Sequence, residues 1–475
     1  MRAAIVILIL LVLTAAYAQE TVSLPDTPPA KLLGEWIKLM NAGDRAELEV
    51  FLKAHYAQSV LRGRDPGELA SEQLQRLAGH DGVELASVEK SSASEIVAIL
   101  KSRGTLPKFV RISWRLDDAN PQLIAASAIS PAQAPASARL PLDKLGAELE
   151  SKLEELTRRD AFSGVALIAK DGKAVWQKAF GFQDREKKIP ANLETRFRLG
   201  SMNKMFTSVA IAQLVEAGKM KFTDKLAAVL PDYPNKEVAG KITVEQLLTH
   251  TSGLGDFFNS KFEQKKDTLR ETKDYLPLFA DDPLQFEPGK SWSYSNAGFI
   301  VLGRIIEKVS GENYYDYIQH HIYDVAGMKS SADFPKTERP ENLATGYMRD
   351  GGTLRPNWDT LPWRGGPAGG GDSTVGDLLR FANALRSSQL VSATMTQTIT
   401  TGKVQPQPGA PDKYAYGFFD RNVNGRRVVG HGGGAPGMNA ELSILWDNGY
   451  TVIVLANLDP PAVQDVAAYI IDRLP

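Results

Sequence analysis

A serine followed three positions later by a lysine, Ser201-Met202-Asn203-Lys204, is the most reactive pairing in this 475-residue chain. On a helix that spacing puts both side chains on one face, where the amine can take the hydroxyl proton and turn a weak nucleophile into a competent one. Val209, Ile211, Leu214 and Val215 carry a helical apolar spacing on to Gly218, and Gly200 allows the backbone to approach closely just before the serine. Ser201 is therefore expected at a helix start, with a favourable dipole and a free backbone N–H for a developing oxyanion. Ser87-Val88-Glu89-Lys90 has the same spacing but lies in a strand-like run, where residues three apart face opposite ways, so it carries no chemistry.

Two further segments could complete such a site. Tyr294-Ser295-Asn296 precedes an apolar helical run from Gly298 to Val309. A phenol beside a lysine ammonium can be held as phenolate and serve as base, while the asparagine amide can hold both lysine and substrate. Tyr233-Pro234-Asn235 shares that spacing, but its central proline and the preceding Leu230-Pro231-Asp232 mark it as a turn. His431-Gly432-Gly433-Gly434 follows the strand-like Arg427-Val428-Val429. Its glycines clear a strand edge so that a substrate backbone can lie against it, with the Gly434 N–H as a second oxyanion donor.

Taken together and in this order, the three segments resemble the group of class C β-lactamases, serine DD-peptidases and family VIII esterases, whose active-site elements are S-x-x-K, Y-x-N and K-T-G or H-x-G. Phe197-Arg198-Leu199-Gly200, the run Leu247 to Leu254, Tyr294 to Phe299 and Gly365 to Asp377 are similar to recurrent phrases of that group. The resemblance spans Leu142 to Pro475. It implies Ser201 as nucleophile, Lys204 and Tyr294 as the proton-handling pair, Asn296 as ligand of lysine and substrate amide, and Ser201 and Gly434 as oxyanion donors. His431 replaces the lysine of antibiotic-hydrolysing members, and a neutral imidazole there favours esters, amides or peptides over β-lactams. A DD-peptidase or penicillin-binding protein, a β-lactamase, and a non-catalytic binding protein of the same fold stay open as alternatives.

The elements that must position these residues fall into an α+β arrangement. Strands are expected at Phe162–Ala169 and Ala174–Phe180 around the Lys170-Asp171-Gly172-Lys173 turn, and again between Tyr414 and Ala456 with turns at Asn424-Gly425 and Asn448-Gly449. Leu142–Leu156 and Val463–Leu474 read as flanking helices. The sheet is thus built from both ends of the domain around a mostly helical insert, and such a junction makes a cleft. Residues 19–124 form a separate small α+β unit, with helices at Pro29–Asn41 and Arg45–His55 and strands from Gly82 to Leu116. Its layout resembles a cystatin or nuclear-transport-factor-2-like cone. The Ala-, Ser- and Pro-rich residues 125–141 read as a linker, and 142–475 as the hydrolase domain.

Composition narrows the rest. Lys plus Arg number 55 against 56 acidic residues, which leaves no basic surplus for nucleic acid. The chain has no cysteine and its six histidines show no ligand spacing, so disulfides, thiolate chemistry, a metal site and a cofactor are not expected. Residues 1–18 read as a secretory leader, an apolar Ala3–Ala16 run ending on Ala16-Tyr17-Ala18, too short to span a bilayer. A secreted or periplasmic protein acting on a small molecule or peptide, with no lasting membrane anchor, is expected. The glycine-rich 365–371 lacks a following G-K-[ST] and reads as a mobile cleft-side loop, and Thr374 to Asp377 as a capping box. No G-x-S-x-G occurs, which excludes the α/β-hydrolase nucleophile elbow.

Overall fold

The computed structural model describes residues 22–77, 82–133, 139–407 and 412–475; the expected leader lies outside them. The chain divides into two compact units, Met1–Ala132 and Gln133–Pro475.

In the first unit, helices α1 (Pro28–Ala42), α2 (Arg45–His55), α3 (Gln58–Leu61) and α4 (Pro66–Leu77) precede strands β1 (Val83–Ser91), β2 (Glu95–Ser102), β3 (Phe109–Leu116) and β4 (Ile124–Ala132). The strands pair in chain order as an antiparallel sheet. Helix α1 buries Leu33, Trp36 and Met40, as its periodicity requires, and ends on Gly43 in the left-handed region. The Asp44 carboxylate accepts from the Ala46 and Glu47 N–H groups and so starts α2. Strand β4 corrects the expected 125–141 linker. Small residues and Pro131 hide the strand pattern, yet β4 is an edge strand, where proline is tolerated. Its pairing with the aromatic β3 aligns Ser127 with Trp114, whose indole N–H donates to the Ser127 hydroxyl at 3.0 Å.

In the second unit, helix α5 (Leu142–Arg158) leads into the hairpin of β5 (Gly164–Lys170) and β6 (Lys173–Phe180). Asp171 and Gly172 both have positive φ, 50° and 79°, the turn that matches the twist of two adjacent strands. Helices α6 (Asn203–Glu216), α7 (Asn296–Ser310) and α8 (Val375–Arg386) belong to the insert. Strands β7 (Lys413–Tyr414), β8 (Phe419–Val423), β9 (Arg426–Ala435), β10 (Met438–Leu445) and β11 (Tyr450–Ala456) and helix α9 (Ala462–Arg473) complete the chain. The seven-stranded sheet has the order β7-β8-β9-β10-β11-β5-β6 and is antiparallel throughout. The central seam joins the two ends, Val452 opposite Ile168 and Val454 opposite Ala166. Every residue of β10 and β11 is buried, as expected for strands covered on both faces. Among the described residues, no helix is long and apolar enough to cross a membrane.

The Thr374 side chain caps α8 by accepting from the Asp377 N–H at 3.2 Å, but the reciprocal half of the expected capping box is replaced. The Asp377 carboxylate instead accepts from Ser330 N–H, the Ser331 hydroxyl and Arg380, tying the helix start to a distant segment.

Candidate active site

Ser201 stands in a short 3₁₀ turn, Gly200–Met202, which runs directly into α6. That helix is buried nearly all round, so Lys204 comes with it into the interior at 0 % exposure. A glycine is required at 200 for two reasons. Its φ is +54°, and a Cβ there would sit 3.1 Å from the Gly434 nitrogen. Strand β9 thereby packs directly on the nucleophile turn. A Cβ on Gly433 would lie 1.8 Å from the Leu199 carbonyl oxygen, so that position admits no side chain either.

Lys204 Nζ donates to Ser201 Oγ at 3.2 Å, to Asn296 Oδ1 at 2.7 Å and to the Ala368 carbonyl at 2.5 Å. Its three donor sites are thus accounted for without a direct carboxylate partner. Burial pulls the amine down to about 7, with Asp256 opposing. Asp256 acts through Asn296, whose amide nitrogen donates to Asp256 Oδ2 at 2.7 Å, which orients the amide oxygen toward the lysine.

Tyr294 lies in the loop just before α7, and the next residue, Ser295, caps that helix by accepting from the Gly298 N–H. Lys204 Nζ is 4.7 Å from the Tyr294 ring centroid, and the phenol lies beside the Ser201 hydroxyl. Burial pushes the phenol well above its ordinary value, and Lys204 does not offset this. A phenol held this high favours its neutral form over the expected phenolate, which leaves the amine of depressed basicity as the candidate proton acceptor.

His250 braces this loop. Its left-handed backbone (φ +60°) accepts from Ser293 N–H, its Nδ1 accepts from Ser295 N–H at 3.1 Å, and its ring stacks 4.3 Å from that of Tyr294. Burial and the nearby Lys204 hold this imidazole well below its ordinary value, so it is neutral.

The glycine-rich 365–371 segment is fastened to the nucleophile turn rather than loose. Gly370 N–H donates to the Gly200 carbonyl, the Leu199 N–H to the Gly371 carbonyl, and the Asn203 amide to Gly366 and Asp333. These bonds present the Ala368 carbonyl to Lys204.

A cavity of about 660 Å³ opens over Ser201, Tyr294 and Asn296, with Gly434 and Ala435 on its wall. Pairing of β9 with β8 ends at Gly430, so residues 431–435 keep only the ladder with β10. Phe257, Phe258, Phe262 and Tyr275 make an aromatic flank with ring centroids 4.4–5.5 Å apart, and Phe258 is 60 % exposed. Lys266 and Arg364 also line the cavity but are paired with Glu263 at 2.7 Å and Glu271 at 3.0 Å.

His431, Gly432 and Gly433, expected against substrate, are not among the lining residues. The His431 side chain is 3 % exposed and turned inward. Its Nδ1 is bonded to the Gly432 carbonyl and must donate, so Nε2 accepts from the Tyr414 hydroxyl at 3.2 Å. Burial lowers it to about 3, with the Lys204 ammonium adding to the shift. His431→Lys would bury a second ammonium near Lys204, and an unpaired buried charge is strongly destabilising. A Tm lower by roughly 5 °C or more is expected, with an unchanged ratio of activity on carboxylate-bearing and neutral esters. A thermal melt and paired ester assays check this; a rise in the anionic ratio would instead mean that position 431 reaches the substrate.

The sequence profile of the family described as Beta-lactamase matches residues 149–474. The chain belongs to that family. It is 30 % identical over 330 residues to penicillin-binding protein 4* of Bacillus subtilis (strain 168), covering 65 % of this chain and 71 % of that protein. A penicillin-binding protein from Bacillus halodurans superposes with a TM-score of 0.62 at 34 % identity, over 67 % of this chain and 98 % of the other. A D-stereospecific amidohydrolase from Streptomyces sp. does so with a TM-score of 0.59 at 26 % identity, over 68 % and 97 %. The protein is a serine hydrolase of the β-lactamase superfamily, with its antiparallel sheet and flanking helices.

Sequence reasoning did not single out Asp256, Ala368, Tyr414 or the aromatic flank. No local pattern marks Asp256, Ala368 and Tyr414, since each reaches the site through a contact more than 15 residues distant along the chain.

Proposed function

We propose that the protein hydrolyses small neutral esters and amides, including peptides, through an acyl-enzyme on Ser201. The observation that carries this reading is the buried Lys204 amine, 3.2 Å from Ser201 Oγ and lowered to about 7. In the neutral form it takes the hydroxyl proton as Oγ attacks the substrate carbonyl. The Ser201 and Gly434 N–H groups would receive the oxyanion. On collapse the acyl–leaving-group bond breaks and Tyr294, beside Ser201, relays the lysine's proton to the leaving group. Water then attacks the acyl-enzyme along the same proton path, releasing the acid and restoring Ser201. Asn296 holds the amine in place and offers its amide to the substrate.

The aromatic flank favours an apolar group beside the scissile carbonyl. The neutral His431 and the ion-paired Lys266 and Arg364 leave little cationic attraction for a substrate carboxylate, which argues for neutral substrates over β-lactams. The similarity to a D-stereospecific amidohydrolase supports amides within this class. The leader-like residues 1–18 support action outside the cytoplasm.

A panel of chromogenic esters, amino-acid amides, D-Ala-D-Ala peptides and a cephalosporin tests the reading. Turnover of apolar esters or amides above the other two is expected. Faster cephalosporin or D-Ala-D-Ala cleavage would overturn the substrate class, and no turnover of any would favour a binding role. With a neutral ester, kcat/KM should rise with pH through an inflection near 7 and then level, because only the uncharged Lys204 accepts a proton. A pH–rate profile flat between roughly 5.5 and 8.5 would remove Lys204 as the base.

A further inference from the structure

The first unit holds its own cavity of about 550 Å³, lined from α1, α4 and all four strands. Nothing in the hydrolytic chemistry uses it. Trp36, Met40, Leu69 and Leu100 are buried and give it an apolar floor.

One wall is polar and incomplete. Tyr56 is 4 % exposed, and its hydroxyl has no hydrogen bond of normal geometry, although Ser127, Gln73 and Trp114 lie close by. Ser127 Oγ accepts from the Trp114 indole and Gln73 Oε1 from the Trp36 indole, each at 3.0 Å, so one acceptor site on each oxygen is taken. Ser127 and Gln73 line the cavity with Tyr56, so the unpartnered phenol belongs to the cavity wall. A buried hydroxyl without a partner is costly, and an acceptor inside the cavity would remove that cost.

The exposed lining residues mark the mouth: Ser59, Ala126, Ile129, Ser130 and Pro131 on one hand, and the two cations Arg62 and Arg64 on the other. Arg64 meets Glu72 at 3.4 Å, whereas Arg62 has no ion-pair partner among the described residues.

We propose that this cavity binds an apolar carboxylic acid carrying an acceptor oxygen within its body. The apolar part lies on the Trp36 and Leu100 floor, the internal oxygen accepts from Tyr56, and the carboxylate meets Arg62 at the mouth. An aromatic body suits the walls, where Trp36 and Tyr56 both stand edge-on to Trp114.

The test uses the full chain and calorimetric titration with 4-phenoxybenzoate, with 4-benzylbenzoate, which replaces the ether oxygen by CH₂, and with 4-phenoxybenzyl alcohol, which lacks the charge. One phenoxybenzoate per chain is expected, bound about fivefold more tightly than the benzyl analogue. Tyr56→Phe should erase that difference. Arg62→Gln should weaken both acids severalfold and leave the alcohol unchanged. Val110→Trp, which fills the cavity from β3, should abolish binding, with circular dichroism and melting to verify that each variant is folded. Hydrolytic activity on small esters should be the same in all three variants. The proposal is overturned if the native chain shows no binding at millimolar ligand, or if binding is indifferent to Tyr56→Phe, Arg62→Gln and folded Val110→Trp, which would put the acid in the catalytic cavity or on the surface.

Discussion

Ser201→Ala is expected to lower turnover of a responsive ester by on the order of 10³-fold or more, with the fold and melting temperature nearly unchanged. The size follows from what is removed. Among the described residues the Oγ is the one hydroxyl hydrogen-bonded to the Lys204 amine, and a chain without cysteine has no thiol to take its place. The small thermal effect follows from the site's location, because Ser201 is only half-buried and its loss opens toward the cavity rather than into the core. A fluorophosphonate probe should label Ser201 in the native protein, and the label should vanish in the variant. Peptide mapping that finds the adduct on Ser87, in strand β1 of the other unit, or on no serine would sink the assignment.

Lys204→Ala and Tyr294→Phe should each reduce kcat by roughly 10²–10⁴-fold, and the double variant by no more than about tenfold beyond the worse single one. Lys204 is bonded to the Ser201 hydroxyl and Tyr294 stands beside it, so breaking the path at either point disables the other. The two losses differ in their pH behaviour. Tyr294→Phe leaves the amine and should retain the limb near pH 7, whereas Lys204→Ala should lose it. Steady-state kinetics on the four proteins across pH 5.5 to 9 decides this. Additive losses would mean that lysine and tyrosine serve separate steps.

The chemistry was legible in the sequence because its parts are local. Three residues of spacing place lysine beside serine, two place asparagine beside tyrosine, and glycine signals where backbones must touch. Turns such as Asp171-Gly172 announce themselves by the positive φ they need. What escaped is long-range. The inward turn of His431 depends on Tyr414, 17 residues away on another strand, and the fate of the phenol depends on how completely α6 and α7 bury it. Strand β4 escaped for a different reason: an edge strand of alanines and serines draws its stability from its neighbour's aromatics and has no periodic signature of its own.

The seam between β11 and β5 also has a meaning for how the chain comes into being. Its partners lie some 280 residues apart, so loop closure must be completed before this pairing can reward it. Until the last strands have left the ribosome, β5 has only its hairpin partner, and the glycine strand that packs on the nucleophile turn does not yet exist. A nascent chain that lacks these strands consequently has an incomplete nucleophile turn and is expected to be inert toward esters. Assembly of the catalytic unit is thus tied to the end of synthesis, and a chain cut short before Tyr450 would be a substrate for proteases rather than an enzyme.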